Sequence, residues 1–475
     1  MGLAALAIAA LGLCLASTAA AGNTTKVLTG HINPDQVYSF VYVPFDVPVG
    51  TQSIYVYQNY SLKGQGNACD LGVFDPRGHE DPQGVGFRGW SGGYRNNFTI
   101  TEAWATPGYI AGAVYPGTWN VVLGPYTSVP SGIDYELTVT LSTDPVPGGY
   151  FAPNFSSSRV GPDPAPAEKW YRGDFHVHTY YSDGDHAPSF IVDMAKNQSL
   201  DFFYSTDHNT QASNLIWGEA DPADLFVGRG IEVTTRSGHW GALGLDRWQW
   251  IDFRPQANTP GVDLAFANVR EAGGFVSINH PYISCPACNW TLSDFVDADG
   301  IEVWNGPFDG PSNQTIAKWQ ELLVAGNRVT ALGGSDYHRA PRLVGQPTTV
   351  VRTSALTDAG IMDALRRQRV YIVEGPGMEI DFTVTAASGQ VTEVGDVVAG
   401  SGAFTAEVKV TGMNGGILTL IGPKGPIFQQ KITTSPATVT HKKIEGDFVR
   451  VEIRDAAGSM LGLTNPIYFH QVQKS

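Results

Sequence analysis

The feature that most constrains this chain is a change of pattern that begins at Trp170. From there to about residue 377, short apolar runs alternate with segments of helix length. The apolar runs include DFHVH, LDFFYST, GFVSINH, GIEVW and RVTALGG, and the longer segments include PSFIVDMAKNQSL, GVDLAFANVREAG and NQTIAKWQELLVAG. Such alternation is typical of parallel strands joined by helices. The pattern therefore predicts an α/β barrel or sheet over residues 170–377.

Strand-like sequence flanks this segment on both sides. Residues 25–145 contain QVYSFVYVPF, SIYVYQNY, TWNVVLGPY and YELTVTLS, and residues 378–475 contain IDFTVTAAS, FTAEVKVTG, GILTLIG and DFVRVEIRD. These runs are β-branched or aromatic and are separated by turn residues. We predict an N-terminal β-sandwich and a smaller C-terminal β-sandwich. Residues 146–169 are rich in Pro, Gly and Ser and are predicted to be a linker.

The first 21 residues, MGLAALAIAALGLCLASTAAA, form an apolar run that ends in three alanines. This pattern predicts a signal peptide, and hence a chain secreted to the periplasm or the extracellular space. No later stretch approaches the ~18 apolar residues of a membrane span. Export would also suit a glycoprotein, since Asn-x-Ser/Thr sequons begin at Asn23, Asn59, Asn97, Asn154, Asn197, Asn289 and Asn313. In an oxidising compartment Cys285 and Cys288 could form a disulfide or remain thiols, with Cys69 unpaired.

The formal net charge is −15. A negative surface disfavours binding to nucleic acid or to anionic lipid, so we expect no stable nucleic-acid complex. An anionic small-molecule substrate remains compatible with this charge, because bound metal ions reverse the local field. The oligomeric state is left open.

Histidines and carboxylates gather at the ends of the predicted strands. In DFHVHTYYSDGDH (174–186), His176 and His178 are two residues apart and therefore project to the same face of a strand, and Asp183 follows in a turn. α/β barrels assemble their active sites at the carboxyl ends of their strands. The further candidates at such positions are His208, Glu232, His239, His280, Asp336 and His338.

Imidazole and carboxylate groups that converge from several strands are suited to divalent cations. Six His, two Asp and one Glu exceed the four positions around one tetrahedral ion, so we predict two or three ions. Each residue has an ordinary alternative, such as a hydrogen-bonded core histidine or a turn aspartate. Glu232, however, lies in an apolar strand, where an unpaired charge is costly. We expect His186 to be solvated and Asp207 to act as a cap rather than a ligand.

These motifs resemble those of the PHP superfamily (polymerase and histidinol phosphatase). The likeness covers about residues 170–375 and consists of DFHVHTYYSDGDH, FFYSTDHNT, GIEVTTRSGHWGALGL, SINHP and GGSDYH, in this order. The stretches GIEVT, EVWNG and LTNPIYF are most similar to its secreted CehA/McbA-like metallohydrolase branch.

The resemblance implies a distorted (β/α)7 barrel that holds two or three Zn, Mn or Fe ions. In many relatives a histidine stands where this chain has Gly241, and His239, two residues earlier on the same strand face, could take its place. The residues that match the family's ligand motifs are His176, His178, Asp183, His208, Glu232 (the metal-bridging glutamate), His280, Asp336 and His338.

The leading functional hypothesis is a secreted metal-dependent hydrolase of phosphate monoesters or diesters, with a metal-bound hydroxide as nucleophile. Glu232 would bridge the metals, and Asp183, His208 or His338 would protonate the leaving group if not fully engaged as ligands. Arg229 and Arg339 lie near strand ends and could hold an anionic substrate, or could be only surface charges.

Two alternatives stay open. One is hydrolysis of a carboxyl ester, a carbamate ester or an amide, as the CehA/McbA likeness suggests. An apolar pocket would favour it, and the residues that could build one, or could instead be barrel core, are Trp217, Trp240, Trp248, Trp250, Trp304 and Phe308. The other is a metal-containing binding protein without turnover.

Overall fold

The computed structural model describes residues 22–148, 167–217, 224–398 and 404–469. The predicted signal peptide and most of the predicted linker lie outside the described residues, as do Asn154 and His470. Within the described ranges, no helix is both long and apolar enough to cross a membrane.

The N-terminal region is a sandwich of two four-stranded antiparallel sheets. Its strands are β1 Asn23–Ile32, β2 Val41–Val47, β3 Ser53–Tyr60, β4 Ala68–Phe74, β5 Phe87–Gly92, β6 Asn97–Thr101, β7 Gly117–Thr127 and β8 Ile133–Ser142. One sheet has the order β1-β8-β3-β6 and the other the order β2-β7-β4-β5. In β3, Ile54 and Val56 point into the core while Tyr55 and Tyr57 face outwards, as the period of two requires. Cys69 is buried in this core.

The central region combines nine strands with four helices. The strands are β9 Lys169–Val177, β10 Phe202–Ser205, β11 Phe226–Thr235, β12 Gly238–Leu243, β13 Phe275–Asn279, β14 Gly300–Asn305, β15 Thr330–Gly334, β16 Thr348–Thr353 and β17 Val370–Val373. The helices are α1 Pro188–Asn197, α2 Pro260–Glu271, α3 Gly310–Val324 and α4 Asp358–Arg366. Proline begins α1 and α2, where the missing N–H costs nothing, and the Thr357 side chain caps α4 by accepting from Gly360 N.

These strands form a curved mixed sheet, in the order β15-β14-β13-β12-β11-β10-β9-β16-β17. The sheet closes on itself towards β9, since Val177 forms a bridge with Tyr337, just after β15, and this nearly closed mixed sheet with its four helices is called the barrel below. The seven β/α units of the prediction are not shown. A hairpin at Arg236 and Ser237 makes β12 antiparallel to β11, and β16 is antiparallel to both its neighbours. A two-residue hairpin reverses the chain and leaves no room for a crossover helix.

The C-terminal region contains β18 Glu379–Thr385, β19 Val391–Glu393, β20 Phe404–Thr411, β21 Ile417–Gly422, β22 Gly425–Lys431, β23 Ala437–Ile444, β24 Phe448–Arg454, β25 Met460–Thr464 and β26 Ile467–Tyr468. One sheet has the order β19-β18-β20-β23. The others extend the central sheet, because β25 pairs with β17 and is followed by β24, β21 and β22. The sheet therefore runs without a break across the boundary predicted at residue 377.

Candidate metal centre and active-site cleft

All nine predicted ligands come together at one end of the central sheet. His176 is the penultimate residue of β9, and His178 directly follows the strand, where its N–H donates a backbone hydrogen bond of 2.9 Å to Tyr337 O. Their side chains and those of the other seven form three groups of nitrogen and oxygen atoms, each within 4.8 Å of one another. The groups are His178, Asp183, His208 and His338; His176, His178, Glu232 and Asp336; and Glu232, His239 and His280.

Glu232 lies at the centre, and its two oxygens face different histidines. Oε2 is 3.2 Å from His176 Nε2, 3.3 Å from His178 Nε2 and 3.0 Å from His208 Nδ1. Oε1 is 3.0 Å from His280 Nε2 and 3.4 Å from His239 Nδ1. One carboxylate thus belongs to two groups, as a bridging ligand would.

Two aspartates complete the other sides of the cluster. Asp336 Oδ1 is 3.3 Å from Nε2 of both His176 and His178. Asp183 Oδ1 is 3.2 Å from His338 Nε2 and 3.5 Å from His208 Nε2. Each of these carboxylate oxygens therefore faces two imidazole nitrogens. The three atoms can direct their lone pairs at one position between them, as the ligands of a cation do.

Many atoms of this cluster are buried without a hydrogen-bond partner. They are His176 Nε2, His178 Nε2, Asp183 Oδ1, Glu232 Oε2, Asp336 Oδ1, His280 Nδ1 and both ring nitrogens of His239. Buried polar atoms are normally paired, because an unmet one costs about 1–3 kcal/mol. Nitrogen and carboxylate oxygen are also the atoms that Zn, Mn and Fe ions accept. The residues present therefore fit divalent cations.

Opposite charges dominate the electrostatics of the cluster. Burial alone would lower the pKa of a histidine and raise that of a carboxyl. Against burial, Asp183 and Glu232 raise the pKa of His208 to about 9. Against burial, His176 and His208 hold the pKa of Glu232 well below its usual range. His239 is different, since burial lowers its pKa and favours the neutral ring that ligates metals.

The backbone is strained at two of the candidate ligands. His280 has a φ of +28° and Asp336 a φ of +48°, in a region that side chains other than glycine rarely occupy. His280 directly follows the end of β13, and Asp336 lies two residues after the end of β15. Strain of this kind is retained where the surroundings fix a functional geometry.

Sequence reasoning missed Glu302, which supports the cluster from β14. Its Oε1 lies 2.9 Å from His176 Nδ1, and its Oε2 accepts from His280 N and from Asn305 Nδ2. Gly334 makes room for it, because a Cβ there would meet Glu302 Oε1 at 2.4 Å. The signal was present, since Glu302 lies between Ile301 and Val303, as Glu232 lies between two apolar residues.

Two further residues in contact with the cluster were also missed. Asn279 Nδ2 donates to Glu232 Oε1 at 3.1 Å. Arg342 Nη1 donates to Asp336 Oδ2 at 3.2 Å and to its backbone oxygen at 3.0 Å. Both contacts orient the carboxylates that the histidines face.

Residues expected to stay outside the cluster do so, with one difference. Asp207 caps the turn before Asp183, since its Oδ1 accepts from the backbone N–H groups of Thr179 and Ser182. His186 is not simply solvated, because its ring stacks on Phe190 at 4.0 Å and its Nδ1 lies 3.0 Å from Tyr337 Oη.

Of the arginines and aromatic residues named as candidates, only Arg339 lies beside the cluster. Arg229 is buried and donates to the carbonyls of Asn214 and Trp217, so it does not face the cluster. Arg339 is half-exposed beside Asp183, to whose backbone oxygen it donates at 3.0 Å. None of the six aromatic candidates lines the cleft described in the next paragraph. Trp248 is half-exposed, and Phe308 packs against the core. The other four are buried in the core: Trp217, Trp240, Trp250 and Trp304.

A cleft of about 360 Å³ reaches the cluster at Asp183, His208 and His239. The barrel contributes Ser182, Asp183, His208, Asn209, Thr234, Thr235, Arg236, His239, Phe253 and Arg339, and the N-terminal sandwich contributes Phe40, Asp70, Trp90, Ser91, Gly92, Gly93, Tyr94 and Tyr126. The candidate ligands are thus reached through a space between two regions of the chain. Away from the cleft, Cys285 and Cys288 form a disulfide.

No protein-family model matches the chain, and no curated protein matches it. Among solved structures, a two-domain protein with a predicted PHP-like metal-dependent phosphoesterase from Bacteroides vulgatus is 20% identical, with a TM-score of 0.38, over 67% of this chain and all of that chain.

A second match is a putative metal-dependent phosphoesterase from Bifidobacterium adolescentis, 18% identical with a TM-score of 0.27 over 43% of this chain and 97% of that chain. A third is an amidohydrolase from Chromobacterium violaceum, 17% identical with a TM-score of 0.27 over 42% of this chain and 96% of that chain. At these values, no activity is transferred from the three proteins.

Proposed function

We propose that this protein is a metal-dependent hydrolase with a centre of two or three divalent ions, and that it cleaves phosphate esters. The observation that carries the proposal is the set of buried, unpartnered nitrogen and oxygen atoms around Glu232. Their ordered occurrence in motifs that resemble the PHP superfamily supports the same conclusion. The ligands would be His176, His178, Asp183, His208, Glu232, His239, His280, Asp336 and His338.

Divalent ions held there would neutralise charge on the substrate and supply a nucleophile from water at neutral pH. The chain's own residues then fix the geometry. Glu302 and Asn279 hold His176 and Glu232 by hydrogen bonds of 2.9 and 3.1 Å. Partners of this kind orient ligands and fix the tautomer of a histidine.

Proton transfer to the leaving group would fall to those residues nearest the cleft that are not fully engaged as ligands. Asp183 and His208 line it, and His338 is 3.2 Å from Asp183. A group must lie within hydrogen-bond reach of the leaving atom to act as a general acid. Glu232 is fully buried, so it would hold the ions and position the histidines around it rather than touch the leaving group.

Arg339 favours a phosphate ester over a carbon ester. It lies in the cleft lining beside Asp183, and its side chain is 55% exposed. A guanidinium at this position suits the negatively charged oxygens of a phosphoryl group, which a neutral carbon ester lacks. Of the tryptophans that would have formed an apolar pocket for a carboxyl or carbamate ester, four are core and Trp248 is half-exposed outside the cleft lining. Hydrolysis of a carbon ester is the second candidate, and its support is the aromatic wall of the cleft.

We infer that the protein acts outside the cytoplasm on small-molecule esters. The Cys285–Cys288 disulfide suits an oxidising compartment, as the predicted signal peptide requires. The net charge of −15 argues against a nucleic-acid partner.

The test is hydrolysis of two esters of one leaving group by the metal-loaded protein. We expect 4-nitrophenyl phosphate to be hydrolysed faster than 4-nitrophenyl acetate, with a chelator abolishing turnover. The His176→Ala/His178→Ala variant should lose bound metal, as measured by elemental analysis. His441→Ala, a histidine variant outside the cluster, is the control and should keep metal and activity.

Each outcome has a distinct meaning. Faster turnover of the acetate would move the protein to the second candidate function. Full metal content with no turnover of any ester would favour a metal-containing binding protein. Metal retained in the double histidine variant would refute the site itself.

A further inference from the structure

The N-terminal sandwich forms one wall of the active-site cleft. The turn that follows Trp90, residues 91–94, lines the same cleft as Asp183, which follows β9, and His208, which follows β10, and Tyr126 lines it as well. The sandwich is therefore close enough to the candidate metal centre to touch a bound substrate. This placement could not be read from the chain order, because about 90 residues separate the two walls.

The wall is fixed to the barrel by polar contacts. Arg236 Nη2 donates to Asp70 Oδ2 at 3.1 Å, and its guanidinium lies over the ring of Tyr126, 4.4 Å from its centroid. Thr210 Oγ1, which follows the His208 loop, donates to Gly108 O at 2.9 Å. These contacts hold the sandwich in one position relative to the metal centre.

Aromatic contact joins the two regions as well. Trp90 packs on Phe253 with a centroid distance of 4.7 Å, and Phe40 packs on Phe253 at 5.7 Å. Large apolar side chains at an interface resist displacement, because separating them exposes apolar surface to water. The wall is therefore a preformed part of the cleft.

The wall offers aromatic surface and little net charge. Phe40 and Tyr126 are partly buried and Tyr94 is 43% exposed, so each presents ring surface to the cleft. The one carboxylate of this wall, Asp70, is paired with Arg236. The other arginine of the lining, Arg339, lies beside Asp183 and 3.6 Å from Asp185 Oδ1. The cleft thus brings the aromatic rings of the sandwich together with three candidate ligands, Asp183, His208 and His239.

We propose that the 91–94 turn and Tyr126 form the leaving-group subsite and that it takes a flat, uncharged aromatic group. The substrate class is then an aryl phosphate, an assignment that rests on the function proposed above. Rings stack on rings of this kind with a gain of about 0.5–1.5 kcal/mol beyond burial. Hydrolysis forms a P–O bond from water and breaks the bond to the aryl oxygen, which keeps the electron pair, takes a proton and departs as a phenol.

Gly93 provides a way to fill this subsite without disturbing the chain. A Cβ added there would come no closer than 3.6 Å to any atom, and that atom is Asp70 Oδ1 in the cleft lining. Its backbone is not in the left-handed region, unlike that of Gly92 at φ +53°. Gly93→Leu is therefore expected to fold and to occupy the space meant for the ring.

The experiment compares phenyl phosphate with methyl phosphate on the metal-loaded protein, measured as phosphate released. We expect Tyr94→Ala to lower the ratio of the two kcat/KM values about three- to tenfold, and Gly93→Leu to lower it at least as much. Tyr94→Phe keeps the ring and should restore the ratio. Tyr55→Ala, which removes an exposed tyrosine from the outer face of the same sandwich, is the matched control and should not change it.

Binding of phenylphosphonate and methylphosphonate, measured by calorimetry, separates failure of this inference from failure of the function. If no ester is hydrolysed but phenylphosphonate binds more tightly and Tyr94→Ala removes the preference, the subsite stands and the phosphoesterase proposal falls. If the wild-type protein hydrolyses both esters and the variants reduce both rates equally, the subsite is refuted. Equal binding of the two phosphonates would refute it as well.

Discussion

The two β-sandwiches are joined to the central barrel by different means. The C-terminal sandwich shares backbone hydrogen bonds with the barrel, because β25 pairs with β17. In this antiparallel pairing Tyr371 lies opposite Thr464, and Val373 lies opposite Gly462. The N-terminal sandwich meets the barrel through side chains, as in the Asp70–Arg236 ion pair.

The difference indicates a division of labour. Strands of one sheet fold and unfold together, so the C-terminal sandwich is part of the stability of the barrel. A side-chain interface beside a cleft can change in sequence without breaking a sheet, and its residues are in reach of the substrate. We therefore expect changes at the C-terminal join to alter stability, and changes at the N-terminal join to alter substrate preference.

The largest effect should come from metal removal, which tests whether the barrel and the C-terminal sheet behave as one unit. Ions that bind only the folded state at 1,000 times their Kd stabilise it by about 4 kcal/mol. A chelator should therefore increase hydrogen exchange in β9 to β17 and in β24 and β25 together. Exchange in β1 to β8 should change much less, as measured by mass spectrometry of peptides.

The His176→Ala/His178→Ala variant serves as the control for this experiment. It should already show the increased exchange, and a chelator should add nothing. If β1 to β8 lose protection in the same step as the barrel, the N-terminal join is as cooperative as the C-terminal one and the contrast fails.

A smaller effect is expected from Asn465, which links the C-terminal region to two barrel strands. It is fully buried, and its side chain accepts from Ala331 N and donates to the carbonyls of Ala331 and Val370 at 2.9, 3.0 and 3.1 Å. Asn465→Ala removes the side-chain partner of the Ala331 N–H and carbonyl, whereas Val370 O still accepts from the backbone N–H of residue 465, so we expect a loss of about 2–4 kcal/mol in the free energy of unfolding by urea. Gln430→Ala, on the exposed face of β22, should cost less than about 0.5 kcal/mol.

The ratio of kcat/KM for phenyl and methyl phosphate should stay constant in Asn465→Ala. A changed ratio would mean that the C-terminal join reaches the substrate after all. Unchanged stability would show that the three hydrogen bonds are replaced by water.

The sequence predicted the residues at the strand ends better than it predicted the contacts between regions. The nine ligand candidates were found together because most of them end or follow a strand, and neighbouring strand ends converge. His239 instead lies at the start of β12, and the antiparallel pairing of β12 with β11 places it at the same edge. Glu302 carried the same signal as Glu232 and was overlooked. The seven β/α units of the expected barrel are not shown, because Arg236 and Ser237 form a hairpin, which apolar run lengths alone do not reveal.

Other features depend on tertiary contacts that no local pattern encodes. The role of Tyr94 as part of the cleft wall arises from docking of a separate sandwich, and nothing in the stretch RGWSGGYRNN specifies its partner. The boundary at residue 377 was placed where helices give way to strands, but pairing of β17 with β25 joins residues about 90 positions apart. Period and composition report on faces and elements, whereas such pairings are set by the whole fold.

The smallest stability effect and the clearest effect on selectivity are expected at the Asp70–Arg236 pair. Both side chains are 15% exposed, and the ion pair spans the N-terminal join at the edge of the cleft. In a double-mutant cycle of Asp70→Asn and Arg236→Gln, we expect a coupling energy of about 1–2 kcal/mol in urea unfolding. Each single variant should also lower the ratio of kcat/KM for phenyl and methyl phosphate. In Arg236→Gln, the ring of Tyr126 loses the guanidinium that holds it. In Asp70→Asn, that guanidinium loses the carboxylate that fixes its position. Stability losses as large as those of Asn465→Ala, with no change in the ratio, would reverse the assignment of the two joins.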